Sequence, residues 1–77
     1  MMSELAVILR RRIAIIADHS WRERDAGGHL EALSTVSEEI STWAQHHRTE
    51  TDARLRHYLA NASYQKALAH VEAHFGE

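Results

Sequence analysis

The chain has 77 residues with neither cysteine nor proline, room for a single domain. Without cysteine there are no disulfides, thiolate zinc sites or thiol catalysis. Nine Lys+Arg against eleven Asp+Glu give a net charge of −2, without the basic surplus that counterion-releasing nucleic-acid binders carry.

The hydrophobic fraction is 44%, but twelve of those residues are alanine. The 22 large apolar side chains, fifteen of them Leu, Ile or Val, make a thin core and exceed what a disordered chain carries. No segment alternates apolar and polar residues, and Ala, Leu, Glu and Arg dominate between the few breakers, Gly27-Gly28 and Gly76. These features predict an all-α fold: a small three-helix bundle in up-down-up order within one domain, residues 1–77.

The first helix is expected over 4–26, with Ser3 as N-cap and Gly27 as a left-handed stop. Leu5, Ile8, Leu9, Ile16 and Ser20 share one face, with Ile13 and Ile15 at its edges. Arg12 falls inside that stripe, where it is expected to snorkel or to pair with a carboxylate. The apolar run Leu5 to Leu9 precedes Arg10-Arg11-Arg12, the reverse of a secretion signal. No window approaches the roughly 20 apolar residues of a membrane span. A cytoplasmic protein is therefore expected, with no membrane partner. The arginine triplet fans around the helix at about 100° per residue and forms no flat phosphate-binding patch, so no nucleic-acid partner is expected either.

The second helix is expected over 29–47, with Glu31 in its first turn and His46, His47 and Arg48 at its end. Leu30, Leu33, Val36, Ile40, Trp43 and Ala44 form its apolar stripe. The third helix is expected over 52–75, capped by Thr49 or Thr51. Residues 48–52 contain no Gly or Pro, and the stripe runs through them in phase. The alternative is a long α-hairpin in which helices 2 and 3 are continuous from His29 to Phe75. Two threonines and an aspartate favour the turn. The expected core is Leu5, Ile8, Leu9, Ile16, Leu33, Ile40, Trp43, Leu55 and Leu59.

The last helix changes face. Leu55, Tyr58, Leu59 and Ala62 lie on one side, and Tyr64, Ala67, Leu68, Val71 and Phe75 on nearly the opposite one. Either Asn61-Ala62-Ser63 bends, or the C-terminal half meets a partner. In an up-down-up bundle helices 1 and 3 run parallel, which sets Trp21 level with Leu68 to His70. The resulting patch, Trp21, Tyr64, Leu68, Val71 and Phe75, is the candidate interface, because contiguous exposed apolar surface and aromatic anchors mark interaction sites. The expected function is a non-enzymatic protein–protein interaction module, a homo-oligomeric scaffold or adaptor. Its partner is itself, as a homodimer or larger homo-oligomer, or another protein.

Seven histidines offer the competing reading. His19-x-x-x-Glu23, His46-x-x-x-Glu50 and His70-x-x-x-His74 each place two donors on one helical face. In the up-down-up arrangement His19, Glu23, His29, His70 and His74 share one end, a donor set suited to a divalent transition metal. Otherwise no metal or other cofactor is expected. Full protonation of the histidines would carry the net charge from −2 to +5, loosening any assembly in which they face each other. No nucleophile elbow, phosphate-cradling glycine loop or H-E-x-x-H motif is present, so no catalytic residue is assigned.

Overall fold

A computed structural model describes residues 2–74, Met2 by its backbone alone. These residues form five α-helices and no strand: α1 (Met2–Ala17), α2 (His19–Arg24), α3 (Ala26–His46), α4 (Ala53–Ala60) and α5 (Tyr64–His74). The all-α class is as expected. The three-helix count is not, and each additional break has a local cause.

The expected first helix is broken at Asp18 and Asp25. Each aspartate turns its carboxylate onto a backbone N–H three residues ahead: Trp21 N donates to Asp18 Oδ1 at 3.1 Å, and Gly28 N to Asp25 Oδ1 at 3.0 Å. A short acidic side chain can satisfy the free N–H groups of a new helix, so it favours starting one over continuing the last. Gly27 is therefore no stop. Gly27 and Gly28 sit in the first turn of α3, and Gly28 lies so close to the capping Asp25 carboxylate that a Cβ there would strike it. The six-residue α2 is the elbow that lets α1 and α3 pack side by side and antiparallel, with Glu4 by His46 at one end and Ile15 by His29 at the other.

Helices 2 and 3 of the sequence reading are separate, which removes the continuous-helix alternative. Arg48–Glu50 form a single 3-10 turn. Thr51 is extended (φ −101°, ψ 145°) and buried, its Oγ1 donating to Arg48 O at 3.0 Å. Asp52 then caps α4, accepting from Leu55 N at 2.7 Å.

The helix expected over 52–75 is itself two helices, and its final turn-back reverses the topology. Ser63 N donates to Tyr58 O at 2.8 Å and Ala62 N to Leu59 O at 3.2 Å. This pair of bonds closes a helix around one left-handed residue, usually glycine; here it is Ala62, at φ 56°. A Cβ in that conformation costs about 1 kcal/mol. Ala62→Gly is accordingly expected to raise the stability read by urea denaturation by up to about 1 kcal/mol, despite glycine's greater unfolded-state freedom. A loss of stability would contradict the left-handed turn.

Beyond the turn α5 runs back along α1. Tyr64 lies under the Arg12 guanidinium, 4.5 Å from its carbon, and Glu72 accepts from Arg10 at 2.8 Å. The last helix is thus antiparallel to the first, where up-down-up order requires parallel. Arg12, placed in the apolar stripe by its sequence position, makes no ion pair with a carboxylate among the described residues. Its Nε donates to Ser37 Oγ at 3.3 Å and its charge rests on the tyrosine ring.

One cluster joins the helices: Leu5, Ala6 and Leu9 of α1, Ile40 and Trp43 of α3, Leu55 of α4, and Ala67 and Val71 of α5. Ile8 and Leu59 pack against it, partly buried. Ile16, expected in the core, is 45% exposed, and Leu33 is only half-buried. Both fall beyond the reach of α4, whose end at Leu59-Ala60 lies beside Ile40 and Ser41. From there α3 continues about 20 Å to its start, at 1.5 Å per residue. No helix among the described residues is long and apolar enough to cross a membrane.

Candidate functional site

The α1–α3 pair presents two unlike faces. On the first, the seam between the helices is an open groove of about 640 Å³. Its floor is Ile8, the half-exposed Val7 and the Trp43 ring. The Trp43 ring stacks on His47, which also lines the groove, at 4.3 Å with a tilt of 14°, and His47 Nδ1 lies 2.9 Å from Trp43 O. The rim carries Glu4, Glu38 and Glu39, and further along the same seam Glu31. Arg11 offsets Glu39 through a bond of 3.0 Å, while Glu38 has no ion-pair partner among the described residues.

The second face lies about 180° around α3 from the first, since at about 100° per residue the mean direction of Leu30 and Leu33 opposes that of Thr35, Glu39 and Thr42. It holds the side chains that α4 is too short to cover. Leu30 is 65% and Ile16 45% exposed, with Leu33 and Ile13 half-buried beside them. They form an apolar ledge edged by Arg22, Lys66 and Arg12. The hollow farther along, between α3 and α4, is edged by Arg48 and Arg56. No carboxylate lines any of these three hollows. Carboxylates thus line the groove, with Arg11, His46 and His47 beside them, while the charged side chains lining the ledge are basic.

The patch expected from sequence is dispersed. Val71 is fully buried inside the subunit and unavailable to a partner. Trp21 lies over the α1–α3 seam, edge-on to His29 with ring centres 5.5 Å apart. Tyr64 lies on the other side of α1, under Arg12, and Leu68 packs on the core partly buried. Phe75 lies outside the described residues. The reversal of α5 explains the dispersal, because Trp21 was to meet Leu68 only if first and last helices ran parallel.

The same reversal parts the histidines. His29 Nε2 lies 2.7 Å from Ile15 O, where it donates to a carbonyl at the end of α1 that also accepts from Asp18 N at 3.2 Å. His70 and His74 lie at the far end of that helix, 4.5 Å apart by ring centres, with His70 Nε2 2.8 Å from Asp52 Oδ2. His19, Glu23, His29, His70 and His74 do not converge, and the described residues contain no group of three such donors placed to hold a metal ion.

Asp52 has a structural use. Its carboxyl is held below the ordinary carboxylate range by the Leu55 N–H first, then by the His70 hydrogen bond and the charges of His70 and His74, against a desolvation that opposes them. Folding lowers this pKa, so its stabilisation is complete above about pH 4, the unfolded value, and is lost as pH falls through the folded one. At pH 7 Asp52→Ala should lower Tm by several degrees, from an N-cap worth about 1 kcal/mol. The gap should narrow below pH 4. A gap independent of pH, followed by circular dichroism melts, would contradict the assignment.

No protein-family model, curated protein or solved structure matches this chain.

Proposed function

We propose that the chain is a non-enzymatic protein–protein interaction module, a homo-oligomeric scaffold or adaptor working through the two open faces of its α1–α3 pair. The observation that carries this reading is the ledge, where Leu30, 65% exposed, adjoins Ile16, 45% exposed. Adjoining exposed apolar residues edged by charge are a surface that association removes from water. A domain of this size, whose core supplies only a few kcal/mol, also gains stability by mass action when its folded form self-associates.

The test is the solution mass of Leu30→Glu beside the wild type. The wild type is expected above 8.8 kDa at high micromolar concentration. The variant is expected to return to that value with its helix content unchanged, because position 30 lies outside the core cluster, and with a Tm that no longer rises with concentration. Equal masses for the two proteins would overturn the role of the ledge.

A further inference from the structure

Self-association through one face alone meets an electrostatic obstacle. The commonest oligomer, a two-fold dimer, sets a patch against itself. Two grooves face to face would oppose the Glu38 carboxylates and their neighbours, and two ledges would oppose Arg22 and Lys66. Like charges juxtaposed across an interface disfavour pairing, whereas opposite ones favour and orient it. The groove and the ledge have the complementary properties. One is an open groove with a carboxylate rim, and the other an exposed apolar surface with a basic edge. Glu38, Lys66 and Arg22 form no side-chain ion pair among the described residues, so each keeps its charge available.

We infer that copies of this chain associate head to tail, the Leu30–Ile16 ledge of one seated in the Val7–Trp43 groove of the next, with Lys66 and Arg22 facing the Glu38 rim. This rests on the self-association proposed above and adds its symmetry. Because the two patches lie on opposite faces of α3, each bound copy leaves one groove and one ledge unfilled. The assembly therefore grows into a ring or a filament rather than stopping at two. It also weakens with salt, since the rim charges are solvent-exposed.

The experiment uses two surface variants of the full chain, Glu38→Lys in the groove and Leu30→Glu on the ledge, with helix content checked by circular dichroism. Each alone is expected at 8.8 kDa, with at least a tenfold weaker association than the wild type. Mixed one to one they are expected to associate, because each retains the half the other has lost. If either variant alone keeps the wild-type mass, or if the mixture stays monomeric while the wild type associates, head-to-tail pairing is wrong and self-association stands. If the wild type is itself monomeric, both fail. Val7→Lys and Lys66→Glu, also at exposed positions, form a second pair with the same expected outcomes, so the result does not hang on one variant's folding.

Discussion

Leu55→Ala should leave the protein close to unfolded at room temperature, while Leu30→Ala should change its stability by no more than about 0.5 kcal/mol. The two residues are of one type and differ in surroundings. Leu55 is fully buried against α1, α3 and α5, whereas Leu30 is 65% exposed. Truncating a buried leucine costs about 2–5 kcal/mol, because the lost transfer energy is joined by a cavity that neighbours only partly fill. Small domains hold about 3–5 kcal/mol in total, so one truncation consumes most of it. Urea denaturation measures both. Similar midpoints for the two variants would mean that α4 is not docked where the structure places it.

The second large effect distinguishes two readings of the C-terminal helix. Val71→Glu should abolish cooperative folding, with loss of the helical circular dichroism signal. The side chain is fully enclosed among Leu5, Leu9 and Ala67, and an unpaired carboxylate there costs several kcal/mol or must protonate. Were Val71 an interface residue, as its place on the helical wheel suggests, the same substitution would give a folded monomer. A folded, monomeric Val71→Glu variant would therefore overturn the packing of α5 described above.

That residue shows where the sequence was legible and where it was not. The helical class and most of the core, Leu5, Leu9, Ile40, Trp43 and Leu55, follow from 3.6-residue periodicity, which local order alone determines. The turn before α4 was readable too, from Thr51 and Asp52, residues that favour caps. The breaks at Asp18 and Asp25 carried the same signal, an aspartate three residues ahead of a needed N–H, but good helix formers around them masked it. The turn at Ala62 carried almost none. A left-handed residue is normally announced by glycine or asparagine, and here the asparagine stands one place early, at the helix end. A bend at 61–63 was open as an alternative, but its direction was not encoded in any pattern a helical wheel displays.

The direction of α5 then decided the site. With the last helix antiparallel to α1, Trp21 does not come level with Leu68, and the five donors do not converge. An uncovered apolar surface lies instead around Leu30 and Ile16. Its sequence signal was present, as Leu30 and Leu33 in a stripe, but a stripe does not tell how far along it a partner helix reaches. The shortness of α4, eight residues beside the twenty-one of α3, supplies that information.

The account stands most directly on the mass of the unmodified protein measured by sedimentation equilibrium across concentration at low and at high salt. Association that rises with concentration, extends beyond a dimer and retreats in high salt is the predicted result. A species of 8.8 kDa at high micromolar concentration in low salt would contradict it, leaving the groove and the ledge without an occupant of their own kind.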